Sequence, residues 1–195
     1  MNQFETVEDA RVYGASLLAG ARVRLRALAD TDLPALAAWW ADPAASALQT
    51  ATVRPRPEGS FEQMFRQWSG NGDPGSVGFS IEARDTGQLI GHVTLYGAAL
   101  PERAATLAII LGTEHSGQGY GPDAVRTAVG YGFRQMGLNR IELRTWAFNT
   151  RARRAYESAG FKEEGRRRQA AFFDGRFHDE VIMAVLRDEW AAAGS

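Results

Sequence analysis

The feature that most constrains this chain is a glycine-rich decapeptide between an apolar run and the start of a helix. Residues 112–121 read GTEHSGQGYG; they follow the apolar segment 105–111 and precede residues 122–126, PDAVR, which are typical of a first helical turn. Three alternate glycines allow the main chain to adopt positive φ and to approach a ligand closely. Unpaired N–H groups at a helix N-terminus attract anions. The sequence therefore predicts a strand–loop–helix unit that binds a phosphate or diphosphate.

The spacing of the glycines separates this loop from two common nucleotide-binding loops. A Walker loop requires a lysine and a hydroxyl residue directly after its last glycine, and neither follows Gly121. The dinucleotide fingerprint requires G-x-G-x-x-G, whereas Gly117, Gly119 and Gly121 are spaced one residue too closely. A nucleotide such as ATP and a plain turn without a ligand both stay open at this point.

The hydrophobic pattern predicts an α/β (α+β) fold, with a mixed, mostly antiparallel central sheet that is flanked by helices. One crossover helix, after the glycine loop, gives this sheet a single parallel step. Segments 42–59 and 69–76, rich in proline or glycine, are predicted loops. Strands are predicted at 23–26, 77–81, 89–96, 105–111, 140–146, 166–173 and 177–186, and helices from Asp30 or Thr31 to Trp40, from Ser60 to Trp68, from Pro122 to Gly137 and from Asn149 to Ser158.

Length and composition predict one domain and exclude several classes of protein. We expect an arm or short helix at 1–19, a domain at 20–190 and a tail at 191–195. A net charge of −1 gives no reason to expect nucleic acid as the partner. No apolar run approaches the ~20 residues of a membrane span, so no membrane partner is expected. The chain lacks cysteine, which suits the cytoplasm, and its three scattered histidines lack the spacing of metal ligands.

Three segments of the chain resemble the GCN5-related N-acetyltransferase (GNAT) superfamily, and within it the Rim-type ribosomal-protein acetyltransferases. The first is LAIIL at 107–111 with the loop SGQGYG, and the second is NTRARRAYESAGF at 149–161. The third comprises Glu164-Gly165, Asp174-Gly175 and Asp179, and the segment 20–28 also resembles the start of the subgroup, G-x-R-V-x-L-R-x-L. The resemblance covers roughly residues 20–190 and implies a GNAT-like domain with a splayed cofactor cleft.

The resemblance implies that acetyl-CoA binds along this cleft and that no metal takes part. The strand that ends at Leu111 would separate from the strand 141–145, and the backbone of Ile109 and Leu111 would pair with the pantetheine amides. Asn149 would cap the next helix and reach the pantetheine arm, although a plain N-cap is the alternative. The diphosphate would be held by the loop residues Ser116, Gly117, Gln118, Gly119, Tyr120 and Gly121.

Two features bear on how the phosphates are held. The family usually has Arg or Gln where this chain has Ser116, so one side-chain contact to phosphate is expected to be lost and the affinity for acetyl-CoA is in doubt. The simplest interpretation of the arginines at 151, 153 and 154 is that they form a solvent-exposed face of a helix. One of them, for which we name Arg154, could contact the adenosine 3′-phosphate.

Tyr156 is the candidate general acid, because the resemblance places a tyrosine seven residues after Asn149 to protonate the departing thiolate. Simple packing of this tyrosine under the sheet is the alternative. The base is not identified. We name Glu142 as the catalytic candidate, although strand alternation places its side chain on the opposite face of the strand from Ile141 and Leu143. The histidines at 92 and 115, Glu114 and a base acting through water are the other options.

The predicted function is transfer of acetyl from acetyl-CoA to a primary amine, either a protein N-terminus or a small molecule, by direct attack. The absence of cysteine favours this route over a covalent enzyme intermediate. The alternative is a non-catalytic module that binds or senses acyl-CoA. A homodimer through exposed apolar faces is possible. One or two aromatic residues could line the acceptor pocket, from the set Trp39, Trp40, Trp68, Trp146 and Phe148.

Overall fold

The structure is a computed structural model that describes residues 5–50 and 53–193. The predictions for residues 1–4, 51–52 and 194–195 lie outside the described residues. The strands are β1 (Val23–Arg26), β2 (Val77–Ala83), β3 (Leu89–Ala99), β4 (Ala104–Leu111), β5 (Arg140–Trp146), β6 (Lys162–Phe173) and β7 (Arg176–Leu186). The helices are α1 (Val7–Leu17), α2 (Leu33–Ala41), α3 (Pro43–Gln49), α4 (Ser60–Trp68), α5 (Tyr120–Arg134), α6 (Thr150–Ser158) and α7 (Arg187–Ala192).

The strands form one sheet in the order β1-β2-β3-β4-β5-β7-β6. Each neighbouring pair is antiparallel except β4 and β5, which are parallel. Parallel neighbours need a crossover connection, and α5 provides it between these two strands. The predicted fold class is confirmed: a mostly antiparallel sheet with one parallel step, flanked by helices.

Helices cover the two faces of this sheet, because strand side chains alternate between the faces. On one face, Val129 and Phe133 of α5 pack with strand residues such as Leu107 and Ile141 in the larger core. The opposite face carries a smaller core of α2 and α4 residues around Ile110 of β4. The parallel step between β4 and β5 therefore lies in the middle of the sheet, between two packed layers.

The predicted loop 42–59 contains a helix, so this part of the prediction is wrong. Asp42 is the N-cap of α3, and its Oδ1 accepts a hydrogen bond from the N–H of Ala44 at 2.8 Å. Pro43 occupies the first helical position, where its fixed φ favours a helix and its missing N–H costs nothing. The prediction took this proline as a helix breaker, whereas its place directly after an aspartate makes it a helix start.

Several element bounds also differ from the predicted ones. Residues 7–17 form α1, a full helix in the segment where an arm or a short helix was expected. The helix after the glycine loop ends at Arg134, three residues before the predicted stop at Gly137. Strand β6 begins at Lys162 rather than at Arg166. Residues 191–192 belong to α7, so the predicted tail is partly helical.

Candidate active site

A gap between β4 and β5 opens the middle of the sheet. The two strands pair only at their amino-terminal ends, through Ala104, Ala105 and Thr106 of β4. Beyond these residues β4 continues to Leu111, and β5 pairs instead with β7 along its whole length. The two parallel strands therefore diverge towards their carboxyl ends, as the resemblance implied.

The edge of β4 that faces this gap carries main-chain groups without a strand partner. Gly112 donates its N–H to the carbonyl of Ile90 on β3 at 3.0 Å. Because hydrogen-bonded and non-bonded pairs alternate along an antiparallel ladder, residues 110, 108 and 106 bond to β3 and residues 107, 109 and 111 face the other way. Within the described residues, no strand of the sheet pairs with the outward groups of residues 109 and 111, which lie beyond the last rung with β5. An extended ligand with amide groups can complete this edge.

The glycine loop continues from this edge into the N-terminus of α5. Gly117 and Gly119 have φ of 77° and 83°, values that only glycine adopts without strain, and both residues are exposed. Gly119 is the N-cap of α5 and provides no side chain to satisfy the N–H groups of the first turn. A 15-residue helix adds the positive end of its dipole. The loop fits a diphosphate group.

The other loop side chains leave the outer face of the loop open. The side chain of Gln118 bonds back to the carbonyl of Glu114 at 2.9 Å. Tyr120 is buried, with its hydroxyl 3.4 Å from a carboxylate oxygen of Asp85. The hydroxyl of Ser116 makes no hydrogen bond in the described part of the chain, and Gly121 lies inside the first turn of α5. Ligand binding at this loop would therefore rest on main-chain N–H groups.

Asn149 is the N-cap of α6, the helix that follows β5. Its Oδ1 accepts a hydrogen bond from the N–H of Ala152 at 3.1 Å, so its capping role is present. The side-chain amide nitrogen has no partner among the described residues and can still donate to a ligand. The contact between Asn149 and pantetheine stays a prediction.

Tyr156 lies two turns further along α6 and packs against the larger core, together with Ile109 and Leu111 from the edge of β4. Its ring lies 6.1 Å from the ring of Phe161. Burial raises the pKa of the phenol to about 12, because a low-polarity environment disfavours the phenolate. The hydroxyl has no hydrogen-bond partner in the described residues. The phenol is thus protonated at neutral pH and free to donate.

Arg154 is exposed on α6 and forms no ion pair within the described ranges. Arg151 is also exposed and unpaired by the same criterion, whereas Arg153 binds Glu163 at 3.0 Å. Two of the three arginines of this helix therefore present free guanidinium groups near its N-terminus. These groups are available to a phosphate.

Glu142 lies on the last rung that joins β4 and β5, not in the open part of the gap. It pairs in register with Thr106 at the joined end of the two strands, and with Ala184 on β7. Its carboxylate is 3.3 Å from the guanidinium of Arg140, which also binds Glu164. This geometry gives Glu142 a partner in a surface ion-pair network and argues against a catalytic role.

His92 lies in the middle of β3 and is only 2% exposed. Its Nε2 is 2.7 Å from the hydroxyl of Ser69, and burial lowers its pKa to about 4, although the nearby charge of Asp32 acts in the opposite direction. The imidazole is neutral at pH 7, but it is a weak base, because its protonated form loses the proton readily.

Glu114 lies at the start of the glycine loop, in a short turn directly after β4. A hydrogen bond from its own N–H and another from the indole of Trp39, at 3.0 Å, hold the pKa of its carboxyl below the usual range. The ring of His115 lies 5.8 Å from the same indole, edge to face. Neither Glu114 nor His92 is therefore a strong base.

Aromatic side chains divide between the smaller core and the carboxyl end of β5. Trp40 and Trp68 pack with Phe65 in the smaller core, as expected for most of this set. Phe148 follows β5 and stacks on Phe173 with ring centroids 6.0 Å apart. Its ring also lies 4.9 Å from that of His178. The two partners of Phe148 could not be predicted from the sequence around it, because both come from the β6–β7 hairpin.

The comparisons with known proteins agree with this geometry. Residues 22–162 match the family described as an acetyltransferase (GNAT) domain. The chain belongs to the GNAT acetyltransferase family. The match spans the cleft, the glycine loop and Tyr156.

Three similar proteins place this GNAT chain among N-acetyltransferases. The uncharacterised N-acetyltransferase p20 of Bacillus licheniformis is 28% identical over 172 residues, which are 87% of this chain and 96% of that protein. The putative ribosomal N-acetyltransferase YdaF of Bacillus subtilis is 31% identical over 104 residues, 53% of this chain and 57% of that protein. The crystal structure of spermidine N-acetyltransferase from Vibrio cholerae in complex with CoA and spermine matches 88% of this chain and 99% of its own, with a TM-score of 0.75 and 27% identity.

This GNAT protein is an acetyl-CoA-dependent N-acetyltransferase that transfers the acetyl group to a primary amine. The alternative of a non-catalytic acyl-CoA-binding module is therefore not retained. Among the described residues, no group of three His, Asp or Glu is placed to hold a metal ion. None of the helices in the same residues is long and apolar enough to cross a membrane.

Proposed function

We propose that the chain acetylates the α-amino group of a peptide or protein, with Tyr156 as the general acid. The observation that carries the proposal is the continuous unpaired edge of β4 and the glycine loop, with α6 beginning where β5 ends. Acetyl-CoA would supply the activated acyl group at this edge. Main-chain and side-chain groups of this chain bind it, orient it and provide the proton.

The proposed binding residues divide the cosubstrate between three elements. The main-chain N–H groups of residues 116–121 hold the diphosphate, and the unpaired groups of Ile109 and Leu111 align the pantetheine arm. Asn149 donates from its free amide nitrogen, and Arg154 binds the 3′-phosphate with its free guanidinium. The N–H of Ser116 donates to the carbonyl of Thr113 at 3.2 Å, and each of the other groups lacks a protein partner in the described residues.

The proposed proton donor is supported by its place beside the open edge of β4, where Tyr156 packs with Ile109 and Leu111. The phenol, with a pKa of about 12, stays protonated at neutral pH and can donate a hydrogen bond to the developing thiolate. Complete proton transfer is uphill, because the conjugate acid of the thiolate has a pKa of about 8.5. The attack by the amine is direct, and no residue of the chain is acylated.

The weakness of the available bases favours an acceptor amine of low pKa. The imidazole of His92 and the carboxylate of Glu114 both have lowered pKa values. At pH 7.5 roughly a third of α-amino groups are neutral, against about 0.1% of an alkylamine with a pKa of 10.4. An α-amino group therefore needs little help to become a nucleophile. A base that acts through a water molecule then suffices.

A polyamine is the second candidate, because the similar solved structure is named for spermidine. A polyamine carries several positive charges at neutral pH, and its binding calls for free carboxylates near the cleft. Glu114 is bonded to Trp39, and Glu180 of β7 lies close to Arg144 and Arg167. These carboxylates are already engaged, which favours the peptide.

A thiol-release assay with an amine panel tests the proposal. Short peptides with a free α-amino group are expected to give a kcat/KM at least tenfold above that of spermidine, and the same peptides with a blocked N-terminus should give none. A preference for spermidine would replace the peptide by the polyamine. Saturable binding of acetyl-CoA without thiol release from any amine would refute catalysis altogether.

Three finer assignments complete the proposal. Similarity to YdaF supports the Rim-type ribosomal-protein subgroup, and a chain without cysteine supports a cytoplasmic protein. A homodimer stays a prediction, for which light scattering in solution is the measurement. The exposed rings of Phe172 and Phe177, 5.1 Å apart at the tip of the β6–β7 hairpin, are an apolar surface that such an assembly could cover.

A further inference from the structure

Arg22, in the segment that leads into β1, lies against the glycine loop although it is about 95 residues away in the chain. Its Nη1 donates a hydrogen bond to the carbonyl oxygen of Gln118. The guanidinium carbon lies 4.8 Å from the centre of the Tyr120 ring. A Cβ atom added to Gly119 would be 3.2 Å from the same Nη1. Arg22 therefore contacts Gln118 and Tyr120 and leaves little room for a side chain at Gly119.

The contact with Gln118 determines the direction of one loop N–H group. The carbonyl of Gln118 and the N–H of Gly119 belong to the same peptide unit, and in a trans peptide they point in opposite directions. Because Arg22 holds the carbonyl on its own side, the N–H of Gly119 points to the opposite side of the loop. Gly119 is also the N-cap of α5, so this N–H is the first of those available to an anion.

The backbone of Arg22 is itself held by α5. Both carboxylate oxygens of Asp123, in the first turn of this helix, are used: Oδ2 accepts from Arg22 at 2.8 Å and from Val23 at 3.0 Å, and Oδ1 accepts from Ala21 at 3.2 Å. A Cβ at Gly20 would lie 2.5 Å from Oδ2, so only glycine permits this approach. The segment before β1 and the glycine loop are thus fixed to the same helical turn.

The charge of Arg22 is not neutralised by a protein partner. No carboxylate forms an ion pair with it in the described residues, although Asp85 and Arg84 line the same surface pocket of about 380 Å³. Arg84 donates to the carbonyl of Gly20 at 2.7 Å. Two guanidinium groups against one carboxylate leave a net positive charge beside the loop.

We infer that Arg22 is a positioning residue of the acetyl-CoA site: it orients the Gln118–Gly119 peptide so that the Gly119 N–H faces the diphosphate. Its positive charge offsets the loss of a basic or amide side chain at Ser116. This inference rests on the assignment of the glycine loop to the diphosphate of acetyl-CoA.

The test compares Arg22→Ala with Arg24→Ala by isothermal titration of CoA and of 3′-dephospho-CoA, without turnover. Arg24 is the matched control: it lies two residues further on and binds Glu82 rather than the loop, and its replacement by alanine removes the same charge. We expect Arg22→Ala to weaken both ligands about tenfold and Arg24→Ala to weaken neither by more than twofold. The KM for acetyl-CoA should rise with the Kd, while kcat falls less than twofold.

The remaining outcomes decide between this inference and its alternatives. A loss confined to CoA would mean that Arg22 contacts the 3′-phosphate, and equal affinity in all variants would mean that it is dispensable; either result overturns the inference. If Arg22→Ala does not fold, Arg22→Met replaces it, since methionine keeps an unbranched side chain but has neither a donor for the carbonyl nor a charge; a loss of about tenfold in both ligands is then expected. Failure of the wild-type protein to bind CoA would instead refute the cosubstrate assignment.

Discussion

Tyr156 and His92 are ionisable side chains whose pKa values burial shifts in opposite directions. Removal from water disfavours the charged form, which is the phenolate for tyrosine and the imidazolium for histidine. The pKa of Tyr156 rises to about 12 and that of His92 falls to about 4. Both side chains are therefore neutral at pH 7, Tyr156 as the proposed proton donor and His92 as a buried residue of β3.

Replacement of Tyr156 by phenylalanine is expected to lower kcat about 100-fold, because general acids contribute about 10²–10⁴-fold to rates of this kind. The Kd for acetyl-CoA should change less than twofold. Tyr131→Phe is the control, since Tyr131 also packs in the core, 5.1 Å from Phe79, but lies on α5. If Tyr156→Phe leaves kcat unchanged, Tyr156 has a packing role and no role in catalysis.

His92 makes stability depend on pH. Because its pKa is lower in the folded protein, about 4, than in the unfolded chain, about 6.5, the unfolded state binds the proton more tightly. Its contribution is complete above pH 6.5 and declines as the pH falls towards 4. Urea unfolding at pH 7 and at pH 4.5 should show that the wild type loses about 2–3 kcal/mol more than His92→Gln over this interval. Equal losses in the two proteins would contradict the assignment.

At the scale of single residues, long-range contacts were beyond prediction. Asn149 and Tyr156 follow from one segment of sequence, because helix caps and the helical repeat are local. Arg22, Phe173 and His178 acquire their neighbours only when distant strands come together. No local pattern in the sequence marks those contacts.

At the scale of elements, the two edges of β4 differ in what their main-chain groups bind. One edge is bonded to β3, and the other is open beyond Thr106. The N–H of Ile110 belongs to the first edge and the N–H of Ile109 to the second, so neighbouring residues of the same type differ in what their main chain binds. This difference makes proline a selective probe, because proline removes one N–H group.

Ile109→Pro is expected to weaken CoA binding three- to tenfold, which corresponds to the loss of one hydrogen bond. Ile110→Pro should instead destabilise the fold by several kcal/mol, because it breaks the ladder with β3. Titration of CoA together with urea unfolding distinguishes the two effects. Should Ile109→Pro bind CoA as well as the wild type, the open edge would not be part of the binding site.

The predicted elements differ in how well local rules apply to them. Both ends of strand β5 were predicted correctly, because its alternating residues lie between clear loop signals. Helix α3 was missed, since three prolines between 43 and 57 outweighed the capping pair Asp42-Pro43. The divergence of β4 and β5 was available only from the family resemblance, as neither strand's composition indicates where pairing stops.

At the scale of the whole molecule, the terminal helices pack against α5. Tyr13 of α1 stacks under Arg134 with 5.0 Å between the guanidinium carbon and the ring centre, and its hydroxyl accepts a hydrogen bond from Gln135. Trp190 of α7 lies 5.6 Å from Phe133. A groove of about 520 Å³ remains between α1, α5 and α7. Most of α1 is exposed, with only Leu17 buried.

Removal of residues 1–14 is therefore expected to lower the melting temperature by about 2–4 °C, since roughly 1 kcal/mol of contacts is lost. The affinity for CoA should stay within twofold, because these residues contact α5 near Arg134, at the end opposite the glycine loop. Thermal unfolding and calorimetric titration measure the two quantities. Loss of CoA binding would show that the first helix supports the site.

The short junction between β4 and β5 has a mechanical consequence. In the described part of the chain, three rungs connect the half-sheet β1–β4 to the half-sheet β5-β7-β6, so that without a ligand in the gap the two halves are held together mainly by α5 and the cores. Acetyl-CoA bound in the gap would act as an additional strand between the two halves. Binding of acetyl-CoA should then slow amide hydrogen exchange in β5 and β7 more than in β2.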